Sequence, residues 1–280
     1  MADVKEAVYT EIPVRTWRWL GVNEGRVPVS VIEAEGETRK VSLPAGSQTR
    51  LELIYRKEAR AEVEIELGEG ASLELVKVQL LPTDRPHGDK IKVRLAKNAT
   101  LRYTAIEAGA SVSTTEFVAE LEGNESVADV AVLYFGDAER RLDLNYVMRQ
   151  GGRRTEAKLD VRGALAGKCE KIFRGTLDFL RGSVESVGRE KEEVMLLSEG
   201  VRNRSIPLML SGEGDVDGHH AVSIGKMDEE KLFYLMSRGL DLAEARRLVV
   251  EAALAPALER LPKQELAAEI KEFMQRRLGE

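Results

Sequence analysis

The chain has 280 residues, 43% hydrophobic and 32% charged, with a formal net charge of −6. That suits one large water-soluble domain or one domain with a small appendage, and it speaks against nucleic acid as the principal partner. No run of about 18 apolar residues marks a membrane span, and the opening Met1-Ala2-Asp3-Val4-Lys5-Glu6 lacks the apolar core of a secretory signal. A single cysteine, Cys169, can form no internal disulfide and suits a reducing, cytoplasmic setting.

Residues 1–26 read as a lead-in segment. Thr16-Trp17-Arg18-Trp19-Leu20 sets two tryptophans at i and i+2, expected to lie on the main body, and Gly21 and Gly25 break the segment. Residues 27–225 read as strands almost throughout. Apolar and polar residues alternate with period two in Ala61-Glu62-Val63-Glu64-Ile65-Glu66-Leu67, Ile91-Lys92-Val93-Arg94-Leu95 and Leu142-Asp143-Leu144. Such alternation buries one face and wets the other.

The strands recur. Gly70-Ala71-Ser72-Leu73 is echoed by Asn98-Ala99-Thr100-Leu101, Asn124-Glu125-Ser126-Val127 and Gly182-Ser183-Val184. In each, a residue tolerant of left-handed backbone turns the chain, a small residue follows and a strand begins. Leu73, Leu101, Val127 and Val184 are the expected inward anchors. A strand-rich repeat of this length favours a stacked β-helix over a propeller, whose blades need about 40 residues each. A two-sheet sandwich remains open as a reading of the alternation alone.

Residues 226–280 change character. Asp228 caps a first helix that presents Leu232, Phe233, Leu235 and Met236 and stops at Gly239. Asp241 caps a second helix that Pro256 should kink or end. A third follows Pro262 and carries Leu266, Ile270, Phe273 and Leu278.

Familiar catalytic signatures are missing: no phosphate-binding Gly-x-x-x-x-Gly-Lys loop, no Gly-x-Ser-x-Gly elbow and no His-Glu-x-x-His helix. His87, in Pro86-His87-Gly88-Asp89, reads as a surface residue of a turn. His219 and His220 close the β region in Asp217-Gly218-His219-His220-Ala221, and on a strand they point to opposite faces, one able to meet a partner or a metal. Cys169 lies in Gly167-Lys168-Cys169-Glu170-Lys171, where a neighbouring lysine could expose a reactive thiolate, although an incidental surface cysteine is the plainer reading.

From Phe173 onward the chain resembles the SufB/SufD family of iron–sulfur cluster assembly proteins. The resemblance rests on Phe173-Arg174-Gly175, Ser205-Ile206-Pro207, the run from Val216 to Gly225, Met227-Asp228-Glu229-Glu230, and Leu232-Phe233-Tyr234-Leu235-Met236-Ser237-Arg238-Gly239-Leu240. These matches lie in order over about 70 residues; upstream only the repeated strands and an early Thr-Trp-Arg agree. The resemblance implies a right-handed parallel β-helix with a C-terminal helical domain, in a compact, SufD-like version. It implies a non-catalytic scaffold that pairs with a SufB-like subunit or a second copy of itself. It further implies that each helical domain docks a SufC-type ABC ATPase, whose ATP-driven dimerisation strains the pair and opens the interface where a transient cluster is built. No nucleotide binding by this chain is implied.

Site residues carry over unevenly. His220, five residues before Gly225, matches the histidine that the SufD branch places at the subunit interface. The SufB branch follows that histidine with glutamate, where this chain has Ala221. An ungapped match puts the SufB cysteine at Glu192, read here as a solvated glutamate with an oxygen ligand or base as the sharper alternative. Cys169 does not match it. One thiol cannot hold a cluster alone, so any cluster is expected at a shared interface. Phe233, Tyr234, Ser237 and Arg238 are candidates for the ATPase-docking surface, with Phe233 and Tyr234 expected mainly to pack the tail onto the end of the β-helix. A carbohydrate-active β-helix enzyme and a homodimeric metal or sulfur trafficking protein are the alternatives.

Overall fold

A computed structural model describes residues 5–16 and 18–278. Fourteen strands coil into a parallel β-solenoid of two seven-stranded sheets. The first sheet runs β3 (Glu37–Leu43), β5 (Arg60–Leu67), β7 (His87–Leu95), β9 (Val112–Leu121), β11 (Arg141–Gln150), β13 (Glu170–Phe179) and β15 (Arg202–Ser211). The second runs β4 (Gln48–Tyr55), β6 (Ser72–Gln79), β8 (Thr100–Glu107), β10 (Val127–Gly136), β12 (Glu156–Leu165), β14 (Ser186–Leu196) and β16 (Val216–Lys226). Every pairing within them is parallel, so each strand meets its equivalent one coil later. The sandwich reading is thereby set aside and the stacked one stands.

The turn signature behaves differently from its text. Gly46, Gly70, Asn98, Glu125, Arg154 and Glu185 all take left-handed backbone with φ between 51° and 68°. Each donates its N–H to the carbonyl just before its counterpart in the next coil: Gly70 to Lys97, Asn98 to Asn124, Glu125 to Arg153, Arg154 to Val184. That chain of hydrogen bonds offsets a conformation costing about 1–2 kcal/mol in a residue with a Cβ, so the position is marked by place rather than residue type. Counting three residues on gives the stacked ladder Leu73, Leu101, Ala128, Ala157 and Gly188. Leu73 and Leu101 are inward as expected. Val127 is not an anchor; it pairs with Thr100, because Glu125 and not Asn124 makes the turn. Val184 falls in the turn before β14.

The second sheet is buried on both faces. Inward, residues such as Leu75, Tyr103, Val130 and Leu159 stack in the lumen. Outward, Val76, Val78, Ile106, Leu133 and Phe135 meet two helices of the tail. This explains the near-continuous apolar text of Val130-Ala131-Val132-Leu133-Tyr134-Phe135.

The tail comprises α2 (Glu229–Ser237), α3 (Leu242–Leu258) and α4 (Gln264–Leu278), and a short α1 (Val29–Glu33) precedes the solenoid. Asp228 caps α2 by accepting from Glu230 and Lys231, and Asp241 with Glu244 forms a capping box on α3. Pro256 does not end α3 at once; the helix runs two residues further, to Leu258. Val250, Leu254, Leu258, Ile270 and Met274 cover the outer face of the second sheet. Arg260–Asp129 and Lys263–Glu52 pairs, at 3.0 and 2.7 Å, clamp them there. The expectation that the tail caps the end of the stack is therefore corrected. Its apolar stripe finds the continuous apolar outer face of the second sheet, whereas the end of the stack is mixed, with Asn203, Ser205 and His220 beside Met209 and Ile224.

Ahead of the solenoid, β1 (Glu6–Glu11) and β2 (Glu24–Pro28) form an antiparallel hairpin on the first sheet. Arg174, fully buried, donates to the carbonyls of Val22 and Glu24 and pairs with Asp143 beneath them. Trp17 lies outside the described residues, and Trp19 is solvent-exposed, contrary to its expected packing.

Leu101→Asp places a charge in the lumen at a fully buried ladder position, at a cost of several kcal/mol. Urea unfolding followed by circular dichroism should show loss of the cooperative fold; a folded variant with an unchanged midpoint would refute the register.

Candidate functional site

The solenoid ends on β15 and β16, each the last strand of its sheet. Residues facing the lumen in earlier coils are covered by the next coil, but those of the last coil are not. Met209 and Ile224 are 38% and 50% exposed for this reason.

Period two fixes what gathers beneath this open end. On β14, Gly188, Glu190, Glu192 and Val194 are buried while Arg189 and Lys191 are exposed. Register pairs Gly188 with Gly218, Glu190 with His220 and Glu192 with Val222. His220 thus belongs to the inward ladder, at the rim. His219 faces outward, where its Nε2 lies 2.7 Å from Asp217 on the exposed surface. The two histidines do take opposite faces, and they do not converge on one site.

Glu192 is not solvated, and this corrects the plainer reading of it. It is fully buried, accepts from the Tyr134 hydroxyl at 2.9 Å and pairs with the equally buried Lys171, which also reaches Ser205 Oγ at 3.0 Å. Tyr134 reaches across because Gly163, its neighbour in the ladder, has no side chain: a Cβ there would stand 1.9 Å from the ring. Burial lowers the Lys171 pKa to about 8, against the pull of Glu192.

Glu190 is a buried, unpartnered acid that sequence reasoning missed. It is only 3% exposed, and neither carboxylate oxygen has a hydrogen-bond partner among the described residues. Its carboxylate reaches to Gly175 on the opposite sheet, where a Cβ would lie 2.2 Å from Oε1. Burial, reinforced by the Glu192 charge, pushes its pKa up from an ordinary 4.5 to about 8. The text Arg189-Glu190-Lys191-Glu192-Glu193 looks like a solvated charge run. The available signal was phase: Glu190 and Glu192 alternate in step with Gly188 and the apolar Val194.

The remaining candidates lie apart. Cys169 is fully buried just before β13, and burial raises its thiol pKa to about 11, so both the reactive-thiol and the surface readings are corrected. His87 is also buried, not a surface turn residue. It begins β7, donates from Nδ1 to the Glu58 carbonyl at 2.6 Å and lies 3.3 Å from Asp89. Asp89 belongs to a second lumenal cluster with Lys77, Glu107 and Thr115, several coils away. On α2, Phe233 and Tyr234 are 74% and 57% exposed, so they do not pack the tail onto the solenoid. Arg238 stacks 5.3 Å from the Tyr234 ring centroid, and Ser237 donates to the Phe233 carbonyl at 2.8 Å. Among the described residues, no three His, Cys, Asp or Glu side chains converge on a metal-sized site, and no helix is long and apolar enough to cross a membrane.

Residues 28–253 match the family model described as SUF system FeS cluster assembly, SufBD core domain. The chain belongs to the SufBD family. It is 30% identical over 148 residues to the iron–sulfur cluster assembly protein SufD of Bacillus subtilis, covering 53% of this chain and 34% of that protein. A SufBD family protein of Mycobacterium tuberculosis is 29% identical over 196 residues, 67% of this chain and 49% of the relative. One from Pyrococcus horikoshii is 26% identical over 212 residues, 75% and 46%. The chain thus spans between a third and a half of the length of these relatives. The SufBD match takes in the hairpin's last residue, the whole solenoid, α2 and most of α3, and therefore both the open end and the exposed α2 face.

Glu190 gives the fold a pH signature. Its folded pKa is raised, so the folded chain keeps a proton that the unfolded chain releases between pH 4.5 and about 8. The stability it contributes is complete below that window and is lost as pH rises through it, a few kcal/mol in all. Glu190→Gln should remove this component. Melting temperatures at about pH 5 and about pH 8 should differ less in the variant than in the parent; an equal difference would show the carboxyl to be ordinary.

Proposed function

We propose that this chain is a non-catalytic scaffold subunit of a Suf-type cluster assembly complex. In this reading the open end of the solenoid pairs with another SufB/SufD-type subunit, either a second copy or a SufB-like chain. The α2 face docks a SufC-type ATPase, which hydrolyses ATP on the complex's behalf. The nascent iron–sulfur cluster is cargo held between subunits, and His220 is this chain's contribution to it.

The observation that carries the reading is the uncapped last coil. β15 and β16 leave backbone donors and acceptors unpaired at the edge, a template for strand addition by another chain. The tail lies on the flank and leaves this edge free. His220 sits on the rim of the uncapped coil, where a neutral imidazole can serve as a ligand. Cys169 is too deeply buried to supply a thiolate, so sulfur ligands must come from the partner or the sulfur donor.

The exposed aromatics of α2 support the docking assignment. Phe233, Tyr234 and Met236 form an apolar patch on a helix that packs only one residue, Leu232, fully inward. Aromatic residues are enriched in the centres of protein interfaces.

Native purification of the tagged chain under anaerobic conditions should bring down a SufC-type ATPase and a second SufB/SufD-type subunit. Recovery of the chain alone, across salt conditions, would remove the scaffold reading. Phe233→Ala with Tyr234→Ala should abolish recovery of the ATPase while the melting temperature holds, since both side chains are solvated. His220→Ala should impair cluster assembly in cells, read as activity of iron–sulfur enzymes, with the fold intact. Normal enzyme maturation in that variant would remove His220 from the site.

A further inference from the structure

The lumen beneath the open end holds two acids and one lysine, and only one of the acids reaches the lysine. Lys171 is the cation there, and Glu192 takes it up in a direct ion pair, with Tyr134 and Ser205 completing the set. That leaves Glu190 as a second buried carboxylate with no cation and no hydrogen-bond donor among the described residues. A buried polar group in that state costs free energy, and where it persists an ion or a functional role is the usual physical reason. The fold keeps the space for it: Gly175 forms the notch that receives the carboxylate, and any larger residue there would meet its oxygens.

Glu190 also has a fixed neighbour. It pairs in register with His220 across β14 and β16. In-register residues of adjacent parallel strands stand about 4.8 Å apart and point to the same face. With a turn of the Glu190 side chain away from Gly175, its carboxylate and the His220 imidazole can both reach one first-row cation, at about 2.0–2.2 Å from each ligand atom. Glu190 is 3% exposed, whereas His220 lies on the exposed rim. Oxygen and nitrogen donors without thiolate select for divalent iron, cobalt, manganese or zinc over soft monovalent copper.

We propose that Glu190 and His220 form a two-ligand seat for a divalent first-row cation at the open end of the solenoid, with Glu190 the inner and His220 the outer ligand. This deepens the scaffold reading and rests on it: the cation is the ferrous iron that the complex assembles, and the partner subunit or the sulfur donor completes its coordination. Glu190 is thereby a metal-binding residue of the assembly site, and His219 with Asp217, on the outward face, is not.

The test is titration of the full, metal-free chain with cobalt(II) under anaerobic conditions, read by the visible absorption of the bound ion. The parent should bind one cobalt(II). Glu190→Gln and His220→Ala should each weaken binding about tenfold or more, while His219→Ala and Asp217→Asn leave it unchanged. Gly175→Ala supplies a check independent of charge: it displaces only the far end of the Glu190 side chain and should alter the cobalt absorption without unfolding the protein. Circular dichroism and melting curves establish that each variant is folded. Unchanged affinity and spectrum in Glu190→Gln, loss of binding that follows His219, or no binding by the parent would overturn the proposal. Failure here with cluster assembly still lost in His220→Ala would leave the scaffold reading standing. Cobalt binding that depends on both residues, with normal assembly in His220→Ala, would keep the site and remove its role in assembly.

Discussion

Hydrogen bonds between coils are the constraint on which the rest of this structure depends. Each strand is satisfied by the one before and the one after, and the left-handed turns repeat the same bond outside the sheets, from Gly46 through Glu185. Such stacking has no internal stopping rule. The last coil must present an unpaired edge and an uncovered set of lumenal residues, and the functional reading follows from which residues those are.

The lumen shows two solutions to burying a lysine. Burial works against the charge of Lys77, but Asp89 and Glu107, each 2.5 Å away, outweigh it and hold its pKa above the ordinary value. Lys171 meets one carboxylate, Glu192, and burial prevails, leaving it near 8. The difference is the count of carboxylates in direct contact. At the inner cluster both acids are spent on one lysine. At the outer one, Glu190 is left over, facing Gly175 below His220. Direct contact of both acids with the lysine suits a structural role for the first cluster, and the carboxyl left out of contact suits binding at the second.

The position of the tail follows from the same distribution of surfaces. Val76, Ile106, Leu133 and Phe135 make the outer face of the second sheet apolar, and α3 and α4 are drawn to it. The last coil offers a mixed surface instead, Asn203, Ser205 and His220 beside Met209 and Ile224, which a helix stripe of leucines and valines matches less well. Flank docking therefore keeps the edge available and leaves α2, with its aromatic face, projecting from the body.

Much of this was legible in the text. Alternation in Ala61–Leu67 and Ile91–Leu95 gave strands with one buried face, and Asp228, Asp241 and Gly239 marked helix ends by their capping chemistry. Repeats beginning at Gly70 and Asn98 indicated stacking because glycine and asparagine accept left-handed backbone at little cost. The residues around Gly225 and Arg238 carried the family resemblance. These features are local, set by backbone preference and by neighbours a few residues away. What only the tertiary structure decided is which charged residues lose their water. Glu125 turning in place of Asn124 shifts the ladder by one residue, and a shift of one exchanges inside for outside. Lys171, Glu190, Glu192, His87 and Cys169 all sit in polar text and are buried, because their exposure depends on the coil stacked above them, about 30 residues away. His220 is uncovered for the complementary reason: no further coil follows it in the stack.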